Sequence, residues 1–279
     1  MGKKTTRKTP TPADEALRLQ TGLYISRNPT RRWLHNSRLD WIIGALDRHD
    51  AQKPRQTVLD VGSGSGILLP ALARRFDRVI SLDIEQQFLR QVKTRPSAPD
   101  NIRYLAADAR ALPLRNNAVD CITCSEVLEH ITNGTACLKE FYRTLGPGGL
   151  LVLTTPQPTS LLELTAGIVL RRPLISLVKK IYREPVLPTG HINLMSSRRL
   201  HEKLVKSGFD IVESHKSGLY LPGLAEIPAR ASRNIAAALG AKIAGTKLDC
   251  LLWTQFFVAQ KPSPGRPDTR GQTARRPSG

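Results

Sequence analysis

Three aspartates and a glycine-rich turn are the residues of this chain best suited to chemistry. Val58 to Gly66 reads VLDVGSGSG, an apolar run that carries Asp60 and passes directly into a turn with glycine at 62, 64 and 66. Alternating glycines let backbone approach a ligand without an intervening Cβ and permit positive φ. Asp83 lies at the end of a second apolar run, RVISLDI, and Asp108 follows a third, RYLAA. A carboxylate at the end of a second strand can accept hydrogen bonds from both hydroxyls of a ribose. One after the third strand is placed for an adenine amino group. The G-x-G-x-G spacing differs from the G-x-G-x-x-G of dinucleotide-binding turns, and the sequence has no G-x-x-x-x-G-K-[ST] phosphate loop. The ligand implied is a nucleotide-type cofactor with little or no phosphate to cradle.

Two histidines supply candidate proton-handling groups. His130 lies in EVLEH, just after a fourth apolar run (VDCITC), and His191 lies in PTGHINLMS. An imidazole titrates near neutrality and suits general-base work; Glu126 and Glu129 are the carboxylate alternatives. Cys121 and Cys124 form a C-x-x-C inside what reads as a strand, whereas a redox pair opens a helix. No second pair completes a zinc site. Reduced structural thiols and no bound metal are therefore expected.

The elements that must position these residues alternate strand and helix, as a parallel doubly wound sheet requires. Strands are predicted near 57–61, 78–82, 103–106, 119–124 and 149–154, with closing strands at 210–214 and 251–260. Helices are predicted near 66–76, 85–94, 134–145 (stopped by Gly146) and 197–206. A helical preface over 13–50 carries an apolar stripe of Trp33, Leu34, Trp41, Ile42 and Leu46 at near-helical spacing. Between strand five and the late helix, 159–190 reads as an insertion with apolar residues on one side and Arg171, Arg172, Lys179, Lys180 and Arg183 on the other. Such a basic amphipathic pair closes an active site as a lid, or touches a membrane surface through 160–183.

The chain has 279 residues, 40% of them hydrophobic, enough for one sizeable core. Its net charge of +19 is concentrated partly in two Pro-, Gly- and Thr-rich ends, 1–12 and 261–279, which read as disordered basic tails. No run approaches the ~18 uninterrupted apolar residues of a membrane span, and a cytoplasmic protein is expected. The basic balance favours anionic partners.

The ordered motifs carry a resemblance. VLDVGSGSG, the acid at Asp83, Asp108-Ala109, VDCITCSEVLEHI and LGPGGLLVLTTP together resemble the class I S-adenosylmethionine-dependent methyltransferases, most closely the small-molecule branch that includes the ubiquinone and menaquinone biosynthetic enzymes. The likeness covers roughly Thr57 to Pro158. It implies a mostly parallel, seven-stranded Rossmann-like sheet in one domain over 13–260, with a reversed last strand. It also implies S-adenosylmethionine as cofactor. Asp60, Gly62, Ser63, Gly64 and Gly66 would surround its methionine part; Asp83 its ribose; Asp108 and Ala109 its adenine; Ser125 and Glu126 its edge; and Ile84 would also bind the cofactor. His130 is the candidate base, His191 and Trp33 the candidate acceptor contacts, and Tyr24 and His35 in the preface are placed to join them. Enzymes that methylate exocyclic amines of nucleic acid carry N/D-P-P-Y/F after strand four, where this chain reads CSEVLEH. The expected acceptor is therefore a small molecule, aromatic, quinone-like, lipid or natural-product in type, methylated at oxygen or carbon. The competing readings are an RNA methyltransferase that uses the basic tails and a non-catalytic cofactor-binding scaffold.

Overall fold

The computed structural model describes residues 11–49, 56–96, 98–169, 191–225, 227 and 229–264. Seven strands form one sheet: β1 (Thr57–Val61), β2 (Arg78–Asp83), β3 (Ile102–Ala106), β4 (Val119–Ser125), β5 (Leu145–Pro156), β6 (Asp210–Ser217) and β7 (Thr254–Gln260). Their order is β3-β2-β1-β4-β5-β7-β6. The first five run parallel, and β7 runs antiparallel between β5 and β6. The chain thus leaves β1 in one direction to build β2 and β3, then returns to build β4 and β5 on the other side. That reversal opens a crevice at the carboxyl ends of β1 and β4, where open α/β sheets bind ligands.

Successive residues of each strand feed opposite faces. Leu59, Val61, Ile122 and Cys124 pack on one side with α5 (Gly134–Thr144) and α7 (Ser197–Lys206). Val58, Cys121, Leu150 and Val152 pack on the other with α2 (Pro29–His49), α3 (Leu69–Ala73) and α4 (Gln86–Lys93). Cys121 and Cys124 therefore sit in separate cores, and burial pushes the Cys124 thiol well above its usual range. This C-x-x-C cannot form a pair across the sheet.

The preface folds as α1 (Pro12–Tyr24) and α2. Thr11 caps α1 with a reciprocal box: its hydroxyl accepts from Asp14 N at 3.2 Å, and Asp14 Oδ2 accepts from Thr11 N at 2.6 Å. Asp14 also accepts from Gln91, so α1 is docked on α4. In α2 the buried positions are Thr30, Leu34, Arg38, Ile42, Ala45 and Leu46. A spacing of four links most of them, and it puts a charged residue, Arg38, into the apolar stripe.

The structure differs from the sequence reading at several boundaries. The helix expected over 66–76 narrows to Leu69–Ala73, because Gly66 has φ +70, incompatible with a right-handed helix, and Pro70 restarts it. The helix expected to stop at Gly146 ends at Thr144, since Leu145 is already extended and pairs with Val119. Sequence periodicity missed α8 (Arg230–Ile243), which packs on α2. Its buried residues are small (Ser232, Ala236, Gly240), so its inward face carries little apolar signal. Most of the expected insertion and basic tails, at 1–10, 170–190 and 265–279, lies outside the described residues, as do the proposed membrane-contacting basic residues. Residues 161–169 form helix α6 (Leu161–Val169). Among the described residues no helix is long and apolar enough to cross a membrane.

At Gly66 a Cβ would come within 2.7 Å of Val92 Cγ1 and 3.1 Å of Leu69 Cδ1, besides facing the positive φ. Gly66→Ala is expected to cost about 1–3 kcal/mol of stability. Urea denaturation of the two proteins measures it; a change below a few tenths of a kcal/mol would show that the turn relaxes freely.

Candidate active site

A cavity of about 1080 Å³ opens at the carboxyl ends of the strands. Along the sheet its lining passes from Asp108 after β3, through Asp83 and Ile84 at the end of β2 and Gly62 to Ser65 after β1, to Ser125 and Glu126 at the end of β4. It continues to Glu163, His191, Tyr220 and Trp253, and Gln20, Tyr24, His35 and Arg38 of the preface line it as well. Of the residues singled out from sequence, Asp60, Gly62, Ser63, Gly64, Asp83, Ile84, Asp108, Ala109, Ser125, Glu126, His130 and His191 all line this one cavity.

Gly66 and Trp33 do not. Gly66 packs behind the turn against Val92 and Leu69. Trp33 lines a separate pocket of about 430 Å³ with Arg32, Asp40, Arg230 and Arg233. Each helical residue turns the next by about a quarter revolution, so with Leu34 and Arg38 facing the core, Trp33 points elsewhere. The preface contributes Tyr24, Leu34, His35 and Arg38 to the main cavity instead.

The glycine turn is closed by its own hydrogen bonds. Gly62 N and Ser63 N both donate to Leu82 O, at 2.8 and 3.0 Å, Gly66 N to Ser63 O at 2.7 Å, and Gly64 N to Asp83 Oδ2 at 2.8 Å. With these N–H groups engaged, the turn is no phosphate nest, as its spacing implied. At Gly64 (φ +48) a Cβ would stand 2.6 Å from Gln20 Oε1, a side-chain tip that can move aside, so it is the positive φ that favours glycine there. Asp83 also accepts from Glu85 N through Oδ1 at 2.9 Å. It thus braces both the glycine turn and the start of α4, with one further lone pair on each oxygen. Burial raises its carboxyl from the ordinary range despite those bonds.

Asp60 is buried, and its Oδ1 accepts from Thr123 Oγ1 at 2.7 Å. Burial outweighs that bond and pushes its carboxyl up to about 6. Asp108 is more open: its carboxylate is forked by Arg110, with contacts of 2.6, 2.9 and 3.0 Å, which lowers its pKa. Part of its acceptor capacity is therefore already used. Ile84, 67% exposed, offers an apolar face at the cavity mouth.

The opposite half of the cavity is aromatic and charged. Arg38 Nη1 lies 3.0 Å from Glu126 Oε2, joining α2 to the end of β4. Arg38 also stands over the Trp253 ring at 5.3 Å, and its Nη2 donates to His35 Nδ1 at 3.3 Å. Burial, with Arg38 and Arg31 nearby, holds the His35 pKa well below 6.5, so this imidazole is neutral. Glu126 has φ +57, rare for a residue with a side chain, and its N donates to Thr154 O at 3.0 Å. This strained link aims its carboxylate at Arg38.

A short 3-10 turn, Leu128–His130, follows. Glu129 is fully buried; one oxygen accepts from Thr155 Oγ1 at 2.9 Å, and burial, then the Glu126 charge, push its carboxyl well above the ordinary range. His130 and His191 face each other with ring centroids 5.2 Å apart, and His191 Nδ1 lies 3.0 Å from Glu163 Oε2. Sequence reasoning did not single out Arg38, Glu163 or Trp253. Only Arg38 left a signal, as a lone charge in an apolar stripe.

Comparison with known proteins bears on the core of this site. Residues 59–153 match a family described as "Methyltransferase domain". A ubiquinone/menaquinone biosynthesis C-methyltransferase of Enterobacter sp. (strain 638) is 37% identical over 110 residues, 37% of this chain and 44% of that protein. A 37.1 kDa protein in transposon TN4556 of Streptomyces fradiae is 34% identical over 119 residues, 42% of this chain and 34% of its own length. The chain thus spans less than half the length of these curated relatives. A structure described as a putative sarcosine dimethylglycine methyltransferase from Galdieria sulphuraria superposes with a TM-score of 0.57 at 16% identity, covering 83% of this chain and 88% of that one. At that identity the likeness concerns the fold. Residues 59–153 of this chain thus match a methyltransferase domain, and they lie within a seven-stranded, mostly parallel Rossmann-like sheet.

The shifted carboxyl of Asp60 has a consequence for pH. Its native value, about 6, lies above the unfolded 3.8. Its stabilising contribution is therefore fully present below 3.8 and is lost as pH rises through about 6. Asp60→Asn does not titrate, so relative to it the wild type is expected to lose on the order of 2–3 kcal/mol between pH 4 and pH 7. Urea denaturation of both proteins without ligand, at the two pH values, gives the difference; parallel stabilities would place the group's pKa near 4.

Proposed function

We propose that the protein transfers a methyl group from S-adenosylmethionine to a small, largely apolar acceptor at oxygen or carbon. The observation that carries this reading is one continuous cavity that joins the glycine turn and its carboxylates to an aromatic chamber containing two histidines. Bound there, S-adenosylmethionine would supply an electrophilic methyl group on a positively charged sulfur. Buried Asp60 faces the cationic methionine end, and the engaged N–H groups of the turn suit a cofactor without phosphate. Asp83 has free lone pairs for ribose hydroxyls, and Ile84 and Ala109 provide apolar walls for a base. Asp108, forked by Arg110, keeps lone pairs toward the adenine amino group.

The chain's own residues then hold the reactants in line, which accounts for much of the rate of such a displacement. Tyr24, Tyr220 and Trp253 line the chamber that would receive an apolar acceptor, and the Arg38–Glu126 pair fixes the wall between acceptor and cofactor. His130 and His191 stand where the acceptor's nucleophilic atom must lie. The relative named as acting in ubiquinone and menaquinone biosynthesis supports an acceptor of aromatic or quinone-like type.

Asp83→Ala is expected to weaken S-adenosylmethionine by about 1–3 kcal/mol in calorimetry. An altered melting temperature with unchanged affinity would reduce Asp83 to a brace of the turn. His130→Ala is expected to keep cofactor affinity and lower turnover at least about tenfold against acceptors found by screening host extracts with mass detection. Wild-type protein that binds no S-adenosylmethionine would overturn the reading altogether.

A further inference from the structure

We infer that Glu129, His130 and His191 form a binding site for a divalent ion of the zinc, cobalt or manganese class, on the acceptor side of the cavity. The role assigned to this ion rests on the methyltransferase reading; its binding does not. One ligand-capable atom from each of the three residues lies within 4.8 Å of the others. Bonds of about 2.0–2.2 Å require ligand atoms about 3–3.5 Å apart, a contraction within reach of side-chain rotation.

Three observations independent of that spacing point to a ligand. Glu129 is 0% exposed, yet its Oε1, 3.9 Å from His130 Nε2, accepts no hydrogen bond among the described residues. A buried acceptor without a donor is costly unless something else satisfies it. Next, the loop carrying His191 is latched to the turn carrying the other two residues: Ile192 N and Asn193 N both donate to Glu129 O at 2.9 Å. Finally, His191 Nδ1 lies 3.0 Å from Glu163 Oε2, whose side chain is only 6% exposed. A proton shared there leaves Nε2 as the ligand nitrogen, the arrangement in which an outer carboxylate orients a metal-bound imidazole.

Two imidazoles and one carboxylate select a borderline transition-metal ion over the all-oxygen coordination preferred by magnesium. Three protein ligands leave open positions toward the cavity. An acceptor hydroxyl placed there would be acidified by the ion and would release its proton to solvent. Its oxygen lone pair would then form the bond to the methyl carbon as the carbon–sulfur bond breaks. The electron pair of that bond stays on sulfur, which becomes a neutral thioether. This assignment narrows the acceptor to an oxygen nucleophile and makes His130 a ligand rather than a base. Expecting no metal rested on cysteine spacing, which says nothing about histidines brought together by the fold.

The test uses the full chain stripped with EDTA and titrated with Co²⁺, followed by absorption spectroscopy and calorimetry, with Zn²⁺ in competition. One Co²⁺ per chain is expected, displaced by Zn²⁺. Glu129→Gln and His191→Ala should each weaken it at least about tenfold, and Glu163→Gln, acting through His191, by about tenfold. His201→Ala, on the exposed side of α7, should bind as wild type. Failure to bind Co²⁺, Zn²⁺ or Mn²⁺ at tenfold excess, or equal binding by His191→Ala with a native circular dichroism spectrum, overturns the inference. S-adenosylmethionine calorimetry on the same samples separates the two readings: cofactor bound without metal sinks only the site, and metal bound without cofactor sinks only the methyltransferase function.

Discussion

The buried contact between Arg38 and Glu126 is the interaction on which the shape of the cavity depends. It joins the middle of α2 to the first residue beyond β4, across the crevice that the strand order creates. Other ion pairs hold the far end of α2, Arg48 and His49 to Glu213 on β6 and Asp47 to Arg75, but Arg38–Glu126 fixes it at the cavity. A buried ion pair adds little net stability, since desolvation offsets its attraction, but losing one partner leaves an uncompensated charge worth several kcal/mol, ~3–5. The pair therefore acts as a registration device. It sets where Tyr24, His35 and Trp253 stand relative to the glycine turn, and so how far an acceptor lies from the cofactor.

Around that pair the protein keeps more carboxylates buried than a simple core would hold. Asp60, Asp83 and Glu129 all have carboxyls raised by burial, and Glu163 is nearly enclosed. Burying such groups is unfavourable unless something positive or hydrogen-bonding meets them. Two of them, Asp60 and Asp83, line the part of the cavity suited to a cationic, hydroxyl-rich cofactor. Glu129 and Glu163 lie with the two histidines. The same electrostatic logic thus recurs at both ends of one cavity: an apolar fold retains acids where a positively charged ligand can relieve them.

The sheet was legible in the sequence because its inner strands β1, β4, β5 and β7 are mostly buried and read as near-continuous apolar runs. The glycine turn was legible because the positive φ at 62, 64 and 66 leaves little choice of residue. Element ends were less legible: the helix after the turn lost its first residues to the loop, and Leu145 entered β5 before the Gly-Pro-Gly-Gly run expected to separate helix from strand. α8 was hidden because its inward face is built of serine, alanine and glycine. Trp33 was misplaced because an aromatic in a helical stripe draws attention, whereas the turn of the helix gave the inward positions to Leu34 and Arg38.

Local chemistry settled what the sequence alone determined: which residues can turn sharply, which runs must be buried, and which acids end strands. These depend on φ limits, side-chain period and polarity, all properties of short stretches. The partners of the side chains came only from the tertiary structure. Asp108 was turned toward Arg110, Glu126 toward Arg38, and His191 toward Glu163 and His130. Most of those pairings join residues far apart along the chain, and a contact set by how helices dock on a twisted sheet leaves no periodic trace in the order of amino acids.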